Sequence, residues 1–166
     1  MTDASRVLVA LRVPVPAARA FSAFTDQIGD WWKPNGLFQL GDGRDGTLAF
    51  EPGPEGRLVE TYPDGSSFVV GHILAWEPPR RLVLSWRQAS FAPDQETELH
   101  VRFDDVDDPA AAAVQTRVVV EHFGWDRIPR EDAARHGLPL ATFQIRFAQW
   151  WETLLHTLGE VAATPE

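Results

Sequence analysis

Residues 141–163 read ATFQIRFAQWWETLLHTLGEVAA, and the fold is decided by how that stretch is read. Phe143, Phe147, Trp150, Trp151, Leu154, Leu155, Leu158 and Val161 recur at helical spacing and share one broad face. The spacing predicts a helix over 141–163, on the order of 35 Å long at ~1.5 Å rise per residue. Such a helix is long enough to cross a sheet, and the preceding sequence has the pattern to build one.

Working outward, residues 46–124 read as short strands separated by turn signals. Thr47–Glu51 ends at Pro52-Gly53-Pro54, and Gly56–Tyr62 ends at the hairpin-type turn Pro63-Asp64-Gly65. Ser67–Trp76 runs into Glu77-Pro78-Pro79, and Arg81–Gln88, Thr97–Phe103 and Gln115–Phe123 follow. Upstream, Arg6–Val13 reads as a first strand that stops at Pro14. Ala17–Phe24 forms a helix entered at Pro16, and a second helical turn through Ile28–Trp32 ends at the breaker cluster Lys33-Pro34-Asn35-Gly36. A further short helix is expected over 129–136, ended by Gly137 and Pro139. The order is strand, two short helices, a run of hairpin-linked strands and a long helix, which marks an α+β fold. One domain over residues 5–163 is expected, since no linker or repeat interrupts the pattern.

Alternation assigns faces where one parity is polar. Thr97, Leu99, Val101 and Phe103 face inward, as do Leu82, Leu84 and Trp86, and Thr116, Val118, Val120 and His122. Leu48, Phe50, Leu58, Glu60 and Tyr62 complete the set, whereas both parities of the strand holding His72 are largely apolar and give no face. Two ionisable groups, Glu60 and His122, therefore land on the buried face. A buried carboxylate must be paired, protonated or beside a wet cavity. Two readings stay open: a structural bond from Glu60 to the backbone or His122, or a pair of polar handles in an apolar pocket.

Composition narrows the partners. The 166 residues carry a formal net charge of −9 with no basic stripe, which argues against nucleic acid. There are no cysteines, so disulfides and thiolate chemistry are excluded. Neither a signal peptide nor an apolar run of membrane-spanning length is evident, and a cytoplasmic location is expected. The five histidines are dispersed, and Asp104–Asp108 lacks the glycine and distal glutamate of a calcium loop, so no metal and no cofactor are expected. Seven tryptophans and ten phenylalanines stand against one tyrosine, and inward rings of that bulk suggest an internal cavity.

The stretch Leu74-Ala75-Trp76-Glu77-Pro78-Pro79-Arg80-Arg81-Leu82-Val83-Leu84-Ser85-Trp86 resembles a signature of the START-like (SRPBCC) superfamily. More narrowly, it is similar to the family named for the activator of heat-shock-protein-90 ATPase. Gly56–Glu60, Glu121-His122-Phe123-Gly124-Trp125, and Val15-Pro16-Ala17 followed by Trp31-Trp32 agree with it, from Val7 to Val161. The resemblance implies a helix-grip fold: a curved antiparallel sheet around the C-terminal helix, two short helices between strands 1 and 2, and a cavity between sheet and helix. It implies binding of a small apolar or aromatic molecule, lined by Trp31, Trp32, Phe50, Trp86, Phe103, Trp125, Phe143, Phe147, Trp150 and Trp151, with Glu60 and His122 orienting it. Arg130–Pro139 is expected to shape the cavity mouth. The first alternative is a cyclase, dehydratase or hydrolase using Glu60 and His122 as acid and base. The second is a chaperone-contacting module, ranked third because the eukaryotic namesake carries a separate N-terminal domain not seen before the first strand here. A homodimer is left open.

Overall fold

The computed structural model describes residues 6–33, 40–41, 46–110 and 114–164. The N-terminal residues 1–5, the breaker residues 34–36 and the alanines 111–113 lie outside the described residues. In chain order the elements are β1 (Arg6–Val13), α1 (Ala17–Asp26), α2 (Ile28–Trp31), β2 (Thr47–Phe50), β3 (Arg57–Thr61), β4 (Ser67–Glu77), β5 (Arg81–Trp86), β6 (Thr97–Asp105), β7 (Thr116–Phe123) and α3 (Leu140–Ala163). The seven strands form one sheet in the order β1-β7-β6-β5-β4-β3-β2, with every neighbouring pair antiparallel. β1 and β2 are the two edges, so α1 and α2 belong to the connection that carries the chain across the sheet. This is the helix-grip α+β architecture expected from the sequence.

The strand whose face alternation could not assign owes that ambiguity to two bulges. Leu58 pairs with Gly71 and Val59 with Val69, which leaves Val70 as the extra residue. Ile73 pairs with Leu84 and Ala75 with Val83, which leaves Leu74 as another. Each bulge shifts the side-chain alternation by one. Phe68 thus lies opposite Glu60, Ile73 opposite Leu84 and Trp76 opposite Leu82, on parities that switch twice along β4. Both parities are apolar because each serves the core over part of the strand. The Ser85 hydroxyl takes the amide proton of His72 at 2.9 Å, and the Val70 carbonyl takes that of Arg87 at 2.8 Å. Bulges bend a strand and increase its twist, which lets the sheet curl around α3.

The buried face of α3 comprises Phe143, Phe147, Trp150, Trp151, Leu154, Leu155, Leu158 and Ala162. Val161, expected on that face, is only half-buried, and Ala162 takes its place in the last turn. Arg19 on α1 donates from Nε to the Ala162 carbonyl at 3.0 Å and from a terminal nitrogen to the Val161 carbonyl at 3.2 Å. A cation is favourable at a helix C-terminus, where carbonyls lack intrahelical donors.

The helix expected over 129–136 is instead a 3-10 turn at Ala133–Arg135, and another covers Trp125–Arg127. His136 and Gly137 follow with φ of 52° and 69°, a left-handed pair that ends the turn. Buried Arg135 replaces helical hydrogen bonding: it donates to the carbonyls of Ile128 and Leu138, each at 2.8 Å. Its guanidinium also lies 5.4 Å from the centre of the Phe143 ring, which ties this segment to the start of α3.

The bulge geometry depends on glycine at residue 71, where a Cβ would lie 1.7 Å from the Ser85 carbonyl oxygen. Gly71→Ala is expected to destabilise the protein by about 2–3 kcal/mol through backbone displacement. Gly53→Ala, at φ 98° with open space around it, is expected to cost only about 1–2 kcal/mol. Urea unfolding of both variants checks the difference, and equal losses would count against the packing argument.

Candidate functional site

The inward aromatic side chains fall into two groups. Phe21, Phe24, Trp31, Phe50, Trp76 and Phe103 pack around α1, with Phe103 lying 5.2 Å from Phe21 and 5.8 Å from Phe24 between ring centres. Trp32, Trp86, His122, Trp125, Phe143, Phe147, Trp150 and Trp151 pack between the sheet and α3. Trp32 joins the groups: its ring is 5.8 Å from Trp31, 5.6 Å from Trp86, 5.0 Å from Trp150 and 5.6 Å from Trp151. Trp31, Phe50 and Phe103, expected to line one pocket with the rest, belong to the α1 group, because Trp31 packs on Phe24 and because β2 and the far end of β6 meet α1 rather than α3.

His122 sits fully buried at the centre of the second group, with ring centres of Trp125, Phe147 and Trp86 at 5.1, 5.3 and 5.4 Å. Three adjacent strands position it. Trp86 on β5 lies opposite Thr97 on β6, and His122 on β7 lies opposite Leu99, two residues from Thr97 on the same face. The Thr97 hydroxyl donates to the Trp86 carbonyl at 3.0 Å and lies 2.7 Å from His122 Nε2. A hydroxyl has one proton to give. Both contacts are satisfied only when Nε2 carries the imidazole proton and donates it to Thr97. His122 Nδ1 is then a bare acceptor, and it is buried without a hydrogen-bond partner among the described residues.

The indole N–H groups divide in the same way. Trp31 Nε1 donates to the Ala23 carbonyl at 3.0 Å, and Trp150 Nε1 to that of Lys33 at 3.3 Å. Trp86, Trp125 and Trp151 each bury Nε1 with no partner among the described residues. These three donors and the Nδ1 acceptor belong to the same ring cluster. Each unanswered buried polar group costs about 1–3 kcal/mol.

Glu60 lies elsewhere. It faces inward on β3 as expected, but its Oε1 accepts from the Tyr62 hydroxyl at 2.6 Å rather than from His122. β3 and β7 stand four positions apart in the sheet, roughly 19 Å along it at the usual strand spacing. The pairing of Glu60 with His122 entertained from the sequence is therefore not made. Instead the chain runs close over Glu60 and Tyr62 at Gly41, where a Cβ would lie 2.9 Å from Glu60 Oε1. Sequence reading also missed the part played by Thr97. Its inward position was legible, but its role emerges only from the register that aligns it with Trp86 and His122.

An open groove of about 360 Å³ lies between α1 and the turn joining β4 to β5, lined by Ala18, Phe21, Ser22, Thr25, Asp26, Trp76, Pro78 and Pro79. None of these residues belongs to α3, so this groove is not the space expected between sheet and helix. Among the described residues no group of three or more histidines or carboxylates could hold a metal ion, and no helix is long and apolar enough to cross a membrane.

Burial lowers the His122 pKa from 6.5 to about 3, with a smaller contribution of the same sign from His100. The unfolded imidazole takes up a proton below about 6.5, whereas the folded one resists until about 3. The associated stability is therefore complete above pH 6.5 and is lost progressively as pH falls towards 3. The loss between pH 7 and 5 is expected to be roughly 2 kcal/mol. Urea unfolding at the two pH values checks it, and the loss should shrink by about that amount in His122→Gln, which has nothing to titrate there.

The fold has many solved relatives. An HSP90 activator from Plasmodium falciparum superposes with a TM-score of 0.61 at 17% identity, covering 97% of this chain and 98% of that one. CalC, a self-sacrificing resistance protein from Micromonospora echinospora, gives 0.57 at 23% identity, covering 96% of each chain. An anthrahydroquino-γ-pyrone synthase gives 0.53 at 28% identity, covering 94% of this chain and 96% of that one. No curated protein matches the chain. The family described as Activator of Hsp90 ATPase homolog 1-like protein matches residues 14–163, from the entry into α1 to the last residue of α3, and the chain belongs to that family.

Proposed function

We propose that this protein holds a small, largely aromatic molecule between the sheet and α3, against the ring cluster centred on His122. The observation that carries this reading is the concentration of unanswered polar atoms there: His122 Nδ1 and the indole nitrogens of Trp86, Trp125 and Trp151. Buried polar groups in folded proteins nearly always find partners, and several orphans in one cluster call for a missing one. An apolar site with a few polar groups is the usual composition of a small-molecule pocket. The relative at 28% identity is named as an anthrahydroquino-γ-pyrone synthase, which supports a fused-ring ligand.

Holding is favoured over acid–base catalysis. A general base works best with a pKa near the operating pH, and an imidazole lowered to about 3 is a weak one at neutrality. Glu60, hydrogen-bonded to Tyr62 on a distant strand, does not supply the second half of an acid–base pair with His122.

Titration with fused-ring aromatics such as anthraquinones should quench tryptophan emission saturably and raise the unfolding temperature. A ligand at one hundred times its Kd stabilises the folded state by about 2.7 kcal/mol. Trp86→Phe, which removes an orphan donor and one ring edge, should weaken that binding. Neither quenching nor stabilisation up to the solubility limit of these compounds would overturn the reading.

A further inference from the structure

We propose that the groove between α1 and the β4–β5 turn is a binding site in its own right, and that it takes a small organic ammonium carried on a compact apolar body. The site is separate from the ring cluster around His122, and it stands whether or not that cluster holds a ligand.

The groove is apolar but for one kind of polar group. Phe21 and Trp76 both line it, with ring centres 5.2 Å apart and planes at 80°, so they meet as two walls of a corner. Phe21 is buried, whereas Trp76 is only half-buried and keeps part of its surface open. Pro78 and Pro79 line the groove from the turn and bring no backbone N–H. The two hydroxyls present have already committed their protons. Ser22 donates to Asp26 Oδ2 at 3.2 Å, and Thr25 donates to the Phe21 carbonyl at 2.9 Å. Apart from the Trp76 indole, the side chains of the groove therefore offer acceptors only, and an occupant must bring donors.

The charge is one-sided as well. Asp26 is the last residue of α1, where the helix carbonyls already concentrate negative charge, and the last turn has no basic residue. Among the described residues no cation pairs with Asp26. The two guanidiniums that follow the turn are engaged elsewhere: Arg80 with Asp105 at 2.9 Å and Arg81 with Glu77 at 3.2 Å. An ammonium answers Asp26 and is attracted to an aromatic face, while its apolar body fills the corner of Trp76 and Phe21. A carboxylate or phosphate would meet like charge, and a plain hydrocarbon would leave Asp26 without a cation. The volume of about 360 Å³ lies at the small end of ligand pockets, which suits a mono- or bicyclic amine.

The matched compounds 2-(1-naphthyl)ethylamine and 2-(1-naphthyl)ethanol test this. They share ring and chain, and at neutral pH only the first carries a charge. Binding is followed in proton–nitrogen correlation spectra of the labelled protein, where each indole N–H gives its own signal and that of Trp76 is assigned by its loss in Trp76→Phe. The amine should move the Trp76 signal saturably and bind roughly five- to tenfold more tightly than the alcohol, as expected for one ion pair joined to an aromatic contact. Added salt should erode that preference. Asp26→Asn keeps the acceptor for Ser22 and lies on the surface, so the fold should be intact, and there the two compounds should bind within about twofold of each other.

Equal affinity of the two compounds at the Trp76 signal would overturn the proposal, as would a preference that survives unchanged in Asp26→Asn. Failure of the amine to move the Trp76 signal up to its solubility limit would overturn it too. Shifts confined to the indole signals of Trp86, Trp125 and Trp151 would also sink the proposal, while leaving the reading of the His122 cluster in place.

Discussion

The long helix α3 buries rings and leucines along most of its length, and a flat sheet cannot cover a face that wide. Everything else in the structure answers that demand. The sheet curls because β4 carries two extra residues, Val70 and Leu74, and beside the first of them Gly71 lets the Ser85 backbone approach closely. α1 and α2 close the side that the sheet leaves uncovered, and Arg19 fastens α1 to the last carbonyls of α3. At the other end Arg135 fastens the irregular 124–139 segment against Phe143. Two buried or half-buried arginines thus hold the helix at its ends, each bonding to backbone carbonyls.

Most of this framework was legible in the amino-acid sequence, for reasons that can be traced to particular residues. The face of α3 could be read because its polar positions, such as Arg146, Gln149 and Glu152, interrupt the apolar ones at a helical period. β6 and β7 could be read because Glu98, His100, Arg102, Arg117 and Glu121 mark the outer parity. β4 could not, since bulges move its inward residues from one parity to the other and an apolar run conceals the change. The 129–136 segment misled for a different reason: a left-handed His136-Gly137 pair ends the turn after three residues, and a buried arginine supplies the hydrogen bonds a helix would have made.

The candidate site was legible only in part. That His122 and Glu60 face inward followed from alternation, but alternation carries no information on how far apart two strands lie. The sheet order places three strands between β3 and β7, so the two groups occupy different neighbourhoods. The role of Thr97 needed the register of three strands at once. What matters most at His122 is the direction in which one hydroxyl proton points, a property of the assembled sheet.

The contacts around Trp32 have an optical consequence. Trp32, Trp86, Trp150 and Trp151 hold their ring centres between 5.0 and 6.4 Å apart in a contiguous group, tilted steeply to one another. Indoles that close couple their electronic excitations, and skewed transition dipoles give that coupling an exciton signature in circular dichroism. The signal depends on the mutual angles of the rings and not merely on their number. The folded chain therefore carries an intrinsic spectroscopic gauge, centred on Trp32, of how the aromatic stack is arranged.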